Sequence, residues 1–152
     1  MLYYFVKIAR FGRVGFVLSV FSFIDKISEV EKEQSITAFF TLKGNEEFLR
    51  DHFEGFPVMP GVLLLESLKQ AASLLLGGWA KSEVSEFRLD EVQEAKFGQF
   101  VRPGSLLRIS ARLLRKEGRR AFFDGRMDLM GEHNVSLGRA LSASFSLSPA
   151  GQ

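Results

Sequence analysis

The chain reads as an α+β domain: two strands, one long buried helix, then four strands. Three observations predict this. From Val62 to Leu76 the only polar residues are Glu66, Ser67, Lys69, Gln70 and Ser73, and a helix apolar almost all round is a buried one. On both sides of that run, short segments alternate apolar and polar residues with turn residues between them. Strands grouped before and after a single helix, without βαβ alternation, follow the order of an α+β domain.

The elements follow in chain order. Lys7, Arg10 and Arg13 precede the apolar run from Val14 to Ile24, which imitates a secretory leader. No small-residue cleavage site follows, Asp25-Lys26 ends the run, and it is shorter than the roughly 20 residues of a membrane helix. The expectation is one domain spanning 1–152, with 1–20 as an N-terminal extension and no membrane span. Ile24–Val30 and Ser35–Leu42 then predict a hairpin turning at Glu31–Gln34. Asn45 can cap a helical turn that ends near Leu49. Pro60 suits the first position of the central helix, and Gly77-Gly78 supplies its stop. Those fifteen residues, 62–76, would span roughly 22 Å. Four strand segments follow: Phe87–Phe97, mixed in its pattern, then Leu106–Leu114, Ala121–Met130 and Ser136–Leu147. Pro103-Gly104, Lys116-Glu117-Gly118 and Gly131–Asn134 separate them as turns, and His133 falls in the last of these as a turn residue.

Composition narrows the classes. At 152 residues, 46% hydrophobic and with 16 Phe, the chain can fill one core. It has no Cys, which suits a reducing cytoplasm. A net charge of +2 is too weak a signal for nucleic acid. Two His and no Cys argue against a dedicated zinc site. Gly77-Gly78 is not part of a phosphate-binding loop, because no G-x-x-x-x-G-K-[ST] appears.

The chemistry concentrates between His52 and Gln70. Glu66 is a carboxylate inside an apolar helix, and burial without partners raises a carboxyl pKa. Val62, Glu66 and Gln70 are spaced four apart and share one helix face. The competing expectation is that Glu66 lies on a solvated stripe with Lys69 and Gln70. His52 precedes Glu66 by fourteen residues, in a loop stiffened by Pro57 and Pro60 and flanked by Phe53 and Phe56. Gly55 permits backbone geometry closed to other residues. Gly61 and Val62 open the helix with N–H groups that lack intrahelical partners.

The string H-F-x-G-x-P-x-M-P-G-V-L-L-L-E-S-L-x-Q, His52 to Gln70, closely resembles the motif of the 3-hydroxyacyl-acyl-carrier-protein dehydratases, the FabA/FabZ family. Glu66, rather than Asp, resembles the FabZ branch. Glu94–Phe97 and Val101–Arg108 look like that family's following strand and turn, so the resemblance covers roughly residues 21 to 147. Two features depart from it. No Leu-Pro-His-Arg-like opening precedes the fold, and Glu54 stands where the family often has Pro.

The resemblance implies the hot-dog fold, in which an antiparallel sheet wraps one long helix. It also implies a homodimer, or a trimer of dimers, in which His52 of one protomer meets Glu66 of its neighbour. The implied reaction converts a (3R)-hydroxyacyl thioester on acyl carrier protein to the trans-2-enoyl thioester, with no metal or redox cofactor beyond the carrier's phosphopantetheine. His52 would be the base at C2, and Glu66 would protonate the departing hydroxyl. The Gly61 N–H would hold the thioester oxygen, and Gln70 would orient Glu66. Val62 and Gly55 would complete the substrate site, and Phe53 and Phe56 would line the acyl tunnel. Carrier proteins are acidic, so Arg102, Arg108, Arg112, Arg115, Lys116, Arg119 and Arg120 are candidates for a basic docking rim. Two alternatives stay open: a hot-dog thioesterase that hydrolyses the same thioester, and a non-catalytic acyl-binding subunit.

Overall fold

The computed structural model describes residues 22–49, 55–77 and 87–150. The expectations for residues 1–21, and the positions of His52 and Phe53, lie outside the described residues. Six strands and one helix follow in order: β1 (Lys26–Glu31), β2 (Ser35–Thr41), α1 (Gly61–Gly77), β3 (Phe87–Phe97), β4 (Leu106–Glu117), β5 (Arg120–Met130) and β6 (Ser136–Pro149). Single 3-10 turns occupy Glu47–Leu49 and Glu132–Asn134. His133, at φ 60°, belongs to the second turn, as its sequence context implies.

The strands form one sheet in the order β1-β2-β4-β5-β6-β3. Every neighbouring pair is antiparallel. The sheet packs around α1, which is the hot-dog fold. Alternation decides which side chains meet the helix. Ile36, Ala38 and Phe40 of β2, Leu107, Ile109 and Ala111 of β4, and Phe123 and Met127 of β5 point inward and are buried. Gly125 lets the helix approach closely: a Cβ there would lie 2.8 Å from Cδ2 of Leu68. Leu68 itself is fully buried.

The outer face carries the other half of the alternation. Ser35, Arg112, Asp124, Ser144 and Glu94 align across five strands, and Thr37, Ser110, Arg126, Ser142 and Lys96 align in the next row. These rows line an open groove of about 540 Å³. Its cations are already paired. Arg112 meets Asp124 at 3.7 Å, Lys96 meets Glu94 at 3.4 Å, and Arg126 and Arg139 meet Asp128 at 3.8 and 3.2 Å.

Phe87–Phe97 forms a strand at the sheet edge, as expected, and its register shifts twice against β6. One local expectation needs correction. Pro60 sits one residue before the helix and not at its first position: its carbonyl accepts the N–H groups of Leu63 and Leu64, at 3.0 and 3.2 Å. Before the first 3-10 turn, the carboxylate of Glu46 accepts the N–H groups of Lys43 and Gly44, at 2.9 and 2.7 Å. Among the described residues, no helix is long and apolar enough to cross a membrane.

Candidate active site

The site is built where the 55–60 loop enters α1. Gly55 takes φ +77° and the loop runs exposed through Phe56 and Pro57 before Val58 and Met59 turn inward. The Met59 N–H is tied to the Val101 carbonyl at 2.9 Å. That bond docks the helix entry against the segment that follows β3. The Phe97 ring covers the first helical residue, because a Cβ on Gly61 would lie 2.8 Å from Phe97 Cε1. Only glycine fits at 61 without moving that ring.

Since the first bonds into the helix are those of Leu63 and Leu64 to Pro60, the N–H groups of Gly61 and Val62 have no acceptor among the described residues. They sit at the positive end of a seventeen-residue helix, where a partial negative charge is stabilised. Around this mouth lies an apolar rim. Phe56 and Val62 are each 36% exposed and Phe100 is 55% exposed. The rings of Phe56 and Phe100 meet edge to face at 5.6 Å, and the Arg102 guanidinium lies 4.6 Å above the Phe56 ring.

From this mouth the face carrying Val62, Glu66 and Gln70 runs into the core. Glu66 is 7% exposed, Lys69 6% and Gln70 4%. The expectation of a solvated stripe is therefore overturned: all three residues are buried. Gln70 Nε2 and Lys69 Nζ each donate to Glu66 Oε1 at 3.4 Å. Gln70 is itself fixed, because its Oε1 accepts the Phe23 N–H at 2.8 Å. Burial pushes the Glu66 carboxyl above its ordinary range. The Lys69 ammonium, and the hydrogen bonds from Gln70 and Lys69, pull it down but do not win. A carboxyl raised this way holds a proton nearer neutrality than a surface glutamate does, and so can act as a proton donor.

The structure brings together Gly61, Val62, Phe56 and Arg102 at the helix mouth, with Glu66 and Gln70 one turn and more inward. It disperses the other basic residues. Arg108 pairs with Asp128 at 3.2 Å, Arg112 with Asp124, Arg115 with Glu117 at 2.8 Å, and Arg120 with Asp90 at 3.6 Å. These four lie on the sheet and its β4–β5 hairpin and do not form a rim around the mouth. Sequence reasoning missed Lys69 as a partner of Glu66. Its signal was available: a lone cation three residues after a lone carboxylate shares that helix face. The tie between Gln70 and Phe23 had no local signal, as 47 residues separate them. Among the described residues, no group of three or more His, Cys, Asp or Glu could hold a metal ion.

Comparison with known proteins gives the site a context. A family model described as ApeI-like, ApeI dehydratase, matches residues 28–133. The chain is 45% identical over 100 residues to the 3-hydroxyacyl-acyl-carrier-protein dehydratase FabZ of Pediococcus pentosaceus, covering 62% of this chain and 64% of that protein. It is 39% identical over 114 residues to the FabZ of Chlamydia pneumoniae, covering 71% of this chain and 74% of that protein. It spans slightly less than two thirds of the length of the first of these relatives. Among solved structures, the dehydratase heterocomplex ApeI:P of Xenorhabdus doucetiae superposes with a TM-score of 0.66 at 16% identity, covering 86% of this chain and 84% of that one. A mutant of the fluoroacetyl-CoA-specific thioesterase FlK reaches 0.59 at 12% identity, covering 80% and 89%. At such identities the superpositions show the fold alone, and that fold is shared by a dehydratase and a thioesterase.

Proposed function

The chain belongs to the ApeI-like dehydratase family, and on that premise we propose that it removes water from (3R)-hydroxyacyl thioesters presented by an acyl carrier protein. The observation that carries this is Glu66: a carboxyl buried in an apolar helix and raised above its ordinary range, at the motif position shared with the dehydratases.

The chemistry follows from the substrate. The thioester carbonyl acidifies the C2–H bond, while the 3-hydroxyl is a poor leaving group until it is protonated. His52 takes the C2 proton, and Glu66 gives its proton to the hydroxyl as the C–O bond breaks. The C2–C3 double bond forms and water departs. The N–H groups of Gly61 and Val62 hold the thioester oxygen as charge develops on it. Gln70, locked by the Phe23 N–H, keeps Glu66 in place. The site resets when His52 loses and Glu66 regains a proton. The elimination needs no metal or redox cofactor, and phosphopantetheine arrives with the substrate.

The functional unit in this reading is a homodimer, with His52 of one protomer facing Glu66 of its partner. The exposed rim of Phe56, Val62 and Phe100 gives a second copy an apolar surface to cover. Phe53 and Phe56 line the acyl tunnel, Gly55 shapes its loop, and Arg102 is the cation best placed to meet an acidic carrier. The domain extends over 1–152, with 1–20 preceding the hot-dog fold, and a chain without Cys suits the cytoplasm.

The test follows 3-hydroxyacyl and 2-enoyl interconversion by enoyl-thioester absorbance, on carrier-bound and CoA-bound substrates, with His52→Ala alongside. Turnover that disappears in the folded mutant supports the assignment. Release of free thiol without enoyl formation would replace it with thioester hydrolysis.

A further inference from the structure

We propose that Lys69 is a positioning residue for Glu66: with Gln70 it holds Oε1, directs the carboxyl's proton onto Oε2, and sets the pH range over which that proton can be delivered. The inference rests on Glu66 being the acid of the proposed elimination.

The burial of Lys69 is the first observation. A lysine can carry its ammonium to water on four methylenes, and lysines are almost never fully buried without a partner. Here the side chain is 8% exposed and its ammonium lies against a carboxylate that is equally buried. The second observation is convergence. Lys69 Nζ and Gln70 Nε2 both reach Oε1, and no hydrogen-bond donor among the described residues reaches Oε2. An oxygen whose lone pairs already accept two N–H groups is a poor place for a hydrogen. Neutral Glu66 therefore carries its proton on Oε2, the oxygen left open.

The surroundings leave this contact without competition. The sheet residues that face α1 are apolar on every strand, among them Ala38, Ile109, Phe123, Leu141 and Val92. Lys69 is thus the charged group facing Glu66 among the described residues. In the proposed dimer, His52 of the second protomer is the other titratable group. Both contacts to Oε1 measure 3.4 Å, longer than the usual 2.7–2.9 Å of charge-assisted bonds. The ammonium tempers the effect of burial without cancelling it, and Glu66 remains raised.

The consequence has a definite sign. Glu66 donates only while protonated, so turnover falls as pH rises through its pKa. Lys69 favours the carboxylate and holds that fall at lower pH. Replacing it with a neutral side chain leaves burial unopposed and moves the fall to higher pH, while freeing the carboxyl to rotate.

The test uses the full-length protein labelled with carboxyl-¹³C glutamate, with the Glu66 signal identified by its loss in Glu66→Gln. Its titration midpoint is measured in wild type, Lys69→Met, Lys69→Gln and Lys69→Arg, beside the pH profile of kcat. Two neutral variants guard against one that fails to fold. The expected result is a midpoint and an alkaline limb raised by about one pH unit, tenfold in acid population, in the neutral variants. Plateau kcat should fall about tenfold, and Lys69→Arg should keep the wild-type limb. An unmoved midpoint in a folded neutral variant would overturn the proposal, as would a limb that moves equally in Lys69→Arg. A midpoint that shifts in a protein with no dehydratase turnover would support the hold of Lys69 on Glu66 and sink the elimination instead.

Discussion

Two carboxylates in this molecule are buried to almost the same degree, Glu66 at 7% and Asp128 at 4% exposure, yet their surroundings suit opposite purposes. Asp128 stands on the outer sheet face with both oxygens engaged. Arg139 reaches Oδ1 at 3.2 Å, and Arg108 and Arg126 reach Oδ2 at 3.2 and 3.8 Å. These arginines come from three strands, so the charge is compensated and the contact ties β4, β5 and β6 together. Glu66 stands inside the helix with both donors on one oxygen and the other left open. A buried carboxylate held at both ends is a structural clamp. One held at a single end, and pushed up by burial, is poised to give away a proton.

If this contrast is right, the two residues should fail differently. Asp128→Asn should lower unfolding stability by about 2–3 kcal/mol, since hydrogen bonds to charged groups are each worth about 1.5–3. Its kcat per folded enzyme should stay near wild type. Denaturant titration beside turnover checks both halves. Gln70→Ala should cost about 1–3 kcal/mol by removing the side-chain acceptor of the buried Phe23 N–H, and should also lower kcat because Glu66 loses a contact. Equal kcat in wild type and Gln70→Ala would break the link between the Phe23 tie and the acid.

A subtler effect concerns stability and pH at Glu66. Its folded pKa lies above the ordinary value of 4.5. Folding therefore gains from its proton below the unfolded pKa, and loses that gain as pH rises through the folded pKa. Glu66→Gln, which mimics the protonated form, should outlast wild type at pH values above that folded pKa. The advantage should shrink as pH falls from that folded pKa toward about 4.5 and be gone below it, as denaturation midpoints across pH would show. Smallest of all, Arg112→Ala should change stability by less than about 1 kcal/mol, because that pair is exposed and 3.7 Å long.

Much of this architecture was legible in the residues. The apolar run of α1 and the alternation of β2, β4, β5 and β6 follow directly from periods of 3.6 and 2. β3 was blurred for a physical reason. Two register shifts, between Leu89 and Glu91 and between Val92 and Glu94, break its alternation at the sheet edge. The candidate site divided in the same way. Glu66 stood out because a charge inside an apolar helix is conspicuous. The burial of Lys69 was hidden because a helical wheel places a side chain on a face without saying what covers it. The basic residues looked like one rim in sequence, but cross-strand register gives Arg108 to Asp128 and Arg112 to Asp124. Gln70 is anchored by the main chain 47 residues earlier, a contact no local pattern encodes.

The most direct measurement is the turnover of Glu66→Gln in the folded protein, followed by enoyl-thioester absorbance on a carrier-bound 3-hydroxyacyl substrate. The account predicts a loss of about 10²–10⁴-fold in kcat, the usual worth of a positioned general acid, with the fold intact. Near-normal turnover from that variant would contradict it, and Glu66 would then be a buried residue with no part in the chemistry.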